Sequence, residues 1–184
     1  MNDWFLSVVI PAYNEEKRIG PTLANITSYL ESRDFLFEVL VIDDGSEDRT
    51  AEIAENYSGE VNSRSTVRLC RNDRNRGKGY SVRTGMLAAK GKYALLTDAD
   101  LSSPIEEMSK LERPVIEGGF DLAFGSRDVE GSLVEVHQPW LREAGGKAFN
   151  RLMRLVTGLP YHDTQCGFKL LKMSSCKVLF EKQT

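Results

Sequence analysis

The sequence predicts an α/β fold: a mostly parallel sheet with helices on both faces. Three observations predict it. Short apolar runs of strand length recur along the first two thirds of the chain, amphipathic helical patterns lie between them, and chemically useful polar residues stand directly after the runs. Parallel strands are covered on both faces, so they read as continuous apolar runs instead of alternating ones.

The first run, Leu6–Ile10, leads into Pro11-Ala12-Tyr13-Asn14-Glu15. Ile19, Leu23, Ile26 and Leu30 then repeat at helical spacing and form an apolar stripe. The second run, Phe37–Ile42, passes into Asp43-Asp44-Gly45-Ser46. Asp-Gly is turn chemistry, and Ser46 or Asp48 can cap the helix that follows. Val67–Cys70 is the third run, after which Asn75-Arg76-Gly77-Lys78-Gly79 precedes another helical pattern. Tyr93–Thr97, the fourth, ends at Asp98-Ala99-Asp100. Ser103-Pro104-Ile105-Glu106 has the form of a capping box with proline at the first helical position. Ile105, Met108, Leu111 and Val115 continue that helix, which Pro114 is expected to end or kink. Asp121–Gly125 is the fifth run, ahead of Ser126-Arg127.

From about Gly131 the alternation stops. Trp140, Leu141, Ala144, Phe149, Leu152, Met153 and Val156 interleave with Arg142, Lys147, Arg151 and Arg154, and Gly145-Gly146 divides the stretch into two short helices. It is either a helix pair packed on the core or an amphipathic surface for a bilayer interface. Asp163-Thr164-Gln165-Cys166-Gly167-Phe168-Lys169 follows as a compact polar segment. No repeat or linker interrupts the chain, so one domain is expected.

Composition excludes several classes. With 184 residues, 41% hydrophobic and 28% charged, the chain can bury a sizeable core, unlike a disordered tail, fibrous repeat or small disulfide scaffold. Its net charge of −3 argues against a dedicated nucleic-acid binder. Cys70, Cys166 and Cys176 form no C-x-x-C pair and are expected to be reduced thiols. With only His137 and His162, a histidine-rich zinc site is not expected. No apolar run approaches the roughly 20 residues of a bilayer span, and Met1-Asn2-Asp3-Trp4 lacks the basic start of a signal peptide. The expectation is a chain in the cytoplasm, or peripheral at the cytoplasmic face of a membrane.

In open parallel sheets ligands gather at the carboxyl ends of the strands, which is where the polar residues recur. Asp98 and Asp100, two apart at a strand end, are expected to point the same way and share Mg²⁺ or Mn²⁺; the alternative is a solvated acidic turn. Asp44 is either an acceptor for a ribose or base edge, or a turn residue, or both. Glu15 is either a nucleotide contact or a first-turn carboxylate favoured by the helix dipole. Arg64, Arg68, Arg71, Arg74, Arg76, Lys78, Arg83, Lys90 and Lys92 face one acid, Asp73. The glycines around Lys78 could cradle phosphate at a helix N-terminus; a solvated basic face is the alternative. Neither a P-loop nor a G-x-G-x-x-G turn is present. Arg127 suits bidentate phosphate binding. Asp163 and Gln165 are either acceptor contacts or ordinary turn residues.

Val8-Val9-Ile10-Pro11-Ala12-Tyr13-Asn14-Glu15-Glu16, Val41-Ile42-Asp43-Asp44-Gly45-Ser46, Asn75-Arg76-Gly77-Lys78-Gly79, Asp98-Ala99-Asp100, Gly125-Ser126-Arg127 and Asp163–Lys169 together resemble glycosyltransferase family 2, in the family's order. Within the family the resemblance is to the polyprenyl-phosphate enzymes, and the Asp163–Lys169 block points to the dolichyl-phosphate glucosyl branch. It implies a GT-A, Rossmann-like fold with a donor-binding part over about 1–128 and an acceptor side over about 129–184. It also implies inverting transfer of a sugar, most simply glucose from UDP-glucose in preference to a GDP-sugar, to a polyprenyl or dolichyl phosphate. A saccharide hydroxyl acceptor, or a nucleotide-sugar binding module without turnover, are the alternatives.

By position, Pro11, Ala12, Tyr13, Glu15, Ile42 and Asp44 match the family's nucleoside pocket. Asp98, Ala99 and Asp100 match its metal and diphosphate motif, with Mg²⁺ or Mn²⁺ on Asp98 and Asp100. Lys78 lies in a loop near the donor. Arg127 matches an arginine near the phosphates, and Asp163 and Gln165 fall on the acceptor side. Asp98, Asp100, Arg127 and Asp163 are thus the implied catalytic set, and peripheral membrane contact is the implied setting. Relatives continue beyond the point matching Thr184, so the chain is expected to be part of a longer protein. One chemical consequence needs no family: a lipid phosphate arrives ionised and requires no general base, whereas a hydroxyl does.

Overall fold

The computed structural model describes residues 4–57, 65–126 and 166–183. The chain divides into two compact units, residues 1–123 with 168–184, and residues 124–167. Nearly all described residues belong to the first unit; of the acceptor side expected from about residue 129, residues 129–165 lie outside the described ones, and residues 168–183 belong to the first unit.

The strands are β1 (Leu6–Ala12), β2 (Phe37–Asp43), β3 (Ser65–Arg71), β4 (Tyr93–Leu96), β5 (Leu122–Phe124) and β6 (Lys169–Lys172). The helices are α1 (Ile19–Glu31), α2 (Thr50–Tyr57), α3 (Lys78–Ala88), α4 (Met108–Glu112) and α5 (Met173–Lys182). They build one sheet in the order β3-β2-β1-β4-β6-β5. β1 pairs in parallel with β2 and β4, β2 pairs in parallel with β3, and β6 runs antiparallel to β4. The five expected strands are all present. β6 is an additional one, placed between β4 and the fifth, so those two are not neighbours.

Topology places the helices. From β1 to β3 the chain steps outward in one direction, then returns past β1 to β4. Right-handed crossovers therefore put α1 and α2 on one face and α3 on the other. Under α3 and α5, a core forms from Val9, Leu40, Ile42, Met86, Leu96, Leu171 and Met173. Gly85 of α3 lies so close to β1 and β2 that a Cβ there would stand 2.3 Å from Val9 Cγ1 and 2.9 Å from Ile42 Cγ1. The intervening Val8, Ile10, Val39 and Val41 point to the opposite face and are fully buried, as are Ile19, Leu23, Ile26 and Leu30 of α1.

A charged group of β2 sits inside this sheet. Glu38 of β2 is 0% exposed. Its Oε1 accepts from Ser7 Oγ and from the Lys90 amide, both at 2.7 Å, and its Oε2 accepts from Arg68 Nη2 at 2.8 Å. The carboxylate thus ties three strands to the turn that enters β4.

The expected capping box does not form. The segment opens as a 3₁₀ turn, Ile105–Glu107, flanked by Pro104 at ψ 143° with no side-chain cap. Because Pro104 takes the cap position, Ser103 lies outside the helix and Glu106 falls at the second position, one short of the reciprocal contact. α4 stops at Glu112, and Pro114 ends the α-helical hydrogen bonding. It has no N–H for the Lys110 carbonyl, and the turn widens to a π-helical Arg113–Glu117 closed by the Gly118 amide on Arg113 O at 3.0 Å. Among the described residues no helix is long and apolar enough to cross a membrane.

Candidate active site

The chain reverses its stepping direction between β1 and β4, and there the loops beyond the two strand ends diverge and leave a crevice. A cavity of about 410 Å³ opens at that point, lined from the end of β1 by Pro11, Ala12, Tyr13 and Glu15. β1 continues through Pro11 and Ala12, beyond the expected end at Ile10. Pro11 follows Val9↔Leu96, the last pair of the β1–β4 ladder, so it stands near the end of the strand and beyond the paired positions on that side. Tyr13 is 41% exposed at the cavity mouth.

The loops after β1 and β2 are stitched together. Asn14 takes a left-handed backbone with φ 55°, its amide donates to Ser46 Oγ at 2.9 Å, and its Oδ1 accepts from the Glu47 amide at 3.0 Å. The Glu15 amide donates to Thr50 Oγ1 at 2.7 Å. The Glu15 carboxylate is ion-paired with Arg18, Nε to Oε2 at 2.6 Å, although the two are not aligned as a hydrogen bond.

Asp44 is 3% exposed and lines the cavity. Its Oδ1 accepts from Asn72 Nδ2 at 2.7 Å and from the Arg76 amide at 3.1 Å, and its Oδ2 accepts from the Gly77 amide at 2.7 Å. Burial works against ionisation of this carboxyl, but the bonds from Asn72, Arg76, Gly77 and Ser81 outweigh it and hold the pKa below the usual aspartate value. The aspartate is therefore also the clamp of the glycine-containing turn. Gly45 permits the close approach: at φ 73° it packs against that turn, where a Cβ would stand 2.6 Å from the Arg74 carbonyl carbon. Gly77 flanks the start of α3 at φ 90°. Lys78, the first residue of α3, then reaches across the cleft to Asp98, Nζ to Oδ1 at 2.5 Å.

Asp98, Ala99 and Asp100 line the same cavity. They do not belong to β4, which ends at Leu96; they form a turn closed by the Leu101 amide on Asp98 O at 3.1 Å, with Leu101 at φ 47°. Strand alternation therefore does not orient the two carboxylates. The turn does. Asp100 Oδ1 accepts from the Ser102 amide at 3.0 Å. Burial works to raise the Asp100 pKa, but the Ser102 bonds and the nearby Arg18 charge outweigh it and hold the carboxyl below the usual aspartate value.

Nine expected residues thus meet at one cavity: Pro11, Ala12, Tyr13, Glu15, Asp44, Lys78, Asp98, Ala99 and Asp100. Ile42 does not join them. It is 0% exposed and packs under α3 with Met86, because its strand position faces the core. Four arginines of the basic run are engaged with other partners. Arg68 is bound to Glu38, Arg71 is ion-paired with Asp43, Arg76 with Asp73, and Arg83 donates to Phe180 O. Among the described residues of that run, Lys78 is the cation that lines the cavity. Arg127, Asp163, Gln165 and the Trp140–Val156 stretch lie outside the described residues. Asn72 and Ser81, which complete the Asp44 cluster, and Arg18, beside Glu15 and Asp100, carry no signal in the sequence. Asn, Ser and Arg at those positions read as ordinary loop and helix residues.

Among the described residues no group of three or more His, Cys, Asp or Glu could hold a metal. Two carboxylates with open positions still suit Mg²⁺ or Mn²⁺, which draw their remaining oxygens from phosphate and water.

Comparison with known proteins agrees with this geometry. The family description "Glycosyl transferase family 2" matches residues 7–180. A dolichyl-phosphate beta-glucosyltransferase of Trichomonas vaginalis is 34% identical over 188 residues, covering 97% of this chain and 57% of that relative. Those of Mus musculus and Homo sapiens are 36% and 34% identical, covering 90% and 95% of this chain and 54% and 57% of theirs. The chain thus spans a little over half the length of the curated relatives it matches. Among solved structures, glucosyl-3-phosphoglycerate synthase from Mycobacterium tuberculosis with Mn²⁺, UDP-glucose and phosphoglyceric acid superimposes with a TM-score of 0.65 at 22% identity, over 93% of this chain and 57% of that one. The mannosyltransferase PcManGT from Pyrobaculum calidifontis with GDP-Man and Mn²⁺ gives 0.63 at 20% identity, over 96% and 47%. Sheet order, cleft position and family match agree: the chain has the GT-A fold and belongs to glycosyltransferase family 2.

Proposed function

We propose that the protein is an inverting, metal-dependent glucosyltransferase that moves glucose from UDP-glucose to dolichyl or a related polyprenyl phosphate. The observation that supports this most is the convergence of Asp44, Lys78, Asp98 and Asp100 on one cleft at the switch point of the sheet. The relatives that match nearly the whole chain are named for dolichyl-phosphate glucosyl transfer, which favours glucose and a lipid phosphate over the other family chemistries.

In this reading Tyr13 covers the face of the nucleobase, and Glu15 and Asp44 meet the nucleoside. Lys78 and the amides at the start of α3 face the diphosphate, where a cation and a helix N-terminus both favour negative charge. Asp98 and Asp100 would hold Mg²⁺ or Mn²⁺, which would offset the charge developing on the leaving diphosphate. An oxygen of the lipid phosphate attacks the anomeric carbon from the face opposite the nucleotide. The bond from that carbon to the β-phosphate oxygen breaks, and UDP departs with the electron pair. No proton has to be removed from the acceptor, so the residues act by placing two anions and offsetting their charge. By resemblance Arg127 belongs near the phosphates and Asp163 and Gln165 on the acceptor side, and peripheral contact with the cytoplasmic face of a membrane is part of the reading.

Incubation with radiolabelled UDP-glucose, Mn²⁺ and both dolichyl phosphate and an oligosaccharide tests the reading. Label in the organic phase, released as free glucose by mild acid, is expected. Label only in the oligosaccharide would replace the lipid phosphate with a hydroxyl acceptor.

A further inference from the structure

The Asp98–Asp100 turn is anchored from a helix far away in sequence. Thr22 of α1 donates from Oγ1 to the Ala99 carbonyl at 2.7 Å, across 77 positions of chain. Both residues are 4% exposed. The carbonyl lies between the two carboxylates, in a turn that has left the β4 ladder, and so has no sheet partner. A buried carbonyl left unpaired is costly, and here one hydroxyl satisfies it. Thr27, on the same helix, returns its hydroxyl to the carbonyls of Leu23 and Ala24, which is what a helical threonine ordinarily does. Thr22 instead reaches out of its helix to the turn.

We propose that Thr22 is a positioning residue that fixes the orientation of Asp98 and Asp100 and thereby sets the affinity of the cleft for a divalent cation. The proposal rests on the reading of those two aspartates as the cation's ligands. α1 suits the task because its N-terminal end is already tied to the cleft. The Ile19 amide donates to Glu15 O at 2.9 Å, and Arg18 pairs with the Glu15 carboxylate while lying in the field of Asp100. A rigid helix thus carries the support for two loops at once. Groups that orient metal ligands without touching the metal commonly control affinity as strongly as the ligands' own packing.

The test compares Mn²⁺ binding in the presence of UDP, by loss of the free-ion electron paramagnetic resonance signal, with melting temperatures of the same samples. The proteins are the unaltered chain, Thr22→Val, Thr22→Ala, Thr22→Ser and Asp100→Asn. Valine preserves shape and deletes the hydroxyl, alanine deletes the hydroxyl in a better helix former should valine not fold, and serine keeps a hydroxyl for the bond. Thr22→Val and Thr22→Ala are expected to weaken Mn²⁺ binding about tenfold, with Thr22→Ser within about twofold of the unaltered chain. A folded Val or Ala variant that binds Mn²⁺ normally while Asp100→Asn does not would overturn the positioning role and leave the aspartates' role standing. Normal Mn²⁺ binding by Asp100→Asn would overturn both.

Discussion

Lys78 and Asp98 face each other across the cleft, Nζ to Oδ1 at 2.5 Å, joining the first residue of α3 to the turn after β4. Their side chains are 58% and 34% exposed, so the pair adds only roughly 0–1 kcal/mol to stability. Its consequence lies in binding. A divalent cation on Asp98 has to share that carboxylate with a resident ammonium, and a diphosphate gives the ammonium a second partner. Lys78→Gln is therefore expected to raise Mn²⁺ affinity a few-fold in the absence of nucleotide and to lower UDP-glucose affinity about tenfold, with the melting temperature nearly unchanged. Titrations of each ligand alone check the two opposite signs.

Asp44 links the cleft to pH. Its carboxyl is held below its ordinary pKa: burial opposes ionisation, while the Asn72, Arg76, Gly77 and Ser81 bonds more than offset it. A depressed folded-state pKa contributes stability above the unfolded value of about 3.9, and that contribution is lost as pH falls through the lower folded value. Asp44→Asn removes this term, so the variant is expected to be less stable at neutral pH and to show a shallower acid limb between about pH 4 and 2. Denaturant melts across that range check the slope.

The GT-A sheet was legible because β1, β2 and β4 are buried on both sides, so burial alone dictates apolar runs there. β6 was not. It has four residues, Lys169-Leu170-Leu171-Lys172, and only pairing with β4, some 75 positions earlier in the register Leu95↔Leu170, makes it a strand. The carboxylates and Lys78 were legible from their places after strand ends. Their supports were not, because a threonine in an apolar helical stripe or an asparagine in a turn has no pattern that names its distant partner. Glu38 shows the same limit, since one acid in Phe-Glu-Val-Leu-Val gives no sign that Ser7, Lys90 and Arg68 converge on it.

That network predicts a stability effect remote from the cleft. Glu38→Ala strands the partly exposed Arg68 and leaves Ser7 Oγ and the Lys90 amide without their acceptor. The expected loss is about 3 kcal/mol, or about 6–12 °C in melting temperature for a chain of this size. Ligand affinity of the folded protein is expected to stay unchanged. Thermal melts with and without UDP-glucose check both.

Gly85→Ala offers a case where helix propensity and packing oppose each other. Alanine gains up to about 1 kcal/mol of propensity, but its methyl would meet Val9 at 2.3 Å and Ile42 at 2.9 Å. Overpacking of that kind costs about 1–3 kcal/mol, so packing wins and net destabilisation is expected in chemical denaturation. Because α3 carries Lys78, UDP-glucose binding is expected to weaken as the helix is displaced.

The most direct measurement is calorimetric titration of UDP-glucose into the unaltered chain and into Asp100→Asn, each with and without Mn²⁺. Binding that depends on Mn²⁺ and falls at least tenfold in the variant is the expected result. Equal affinity in all four titrations would contradict the assignment of this cleft to a cation-bound nucleotide sugar.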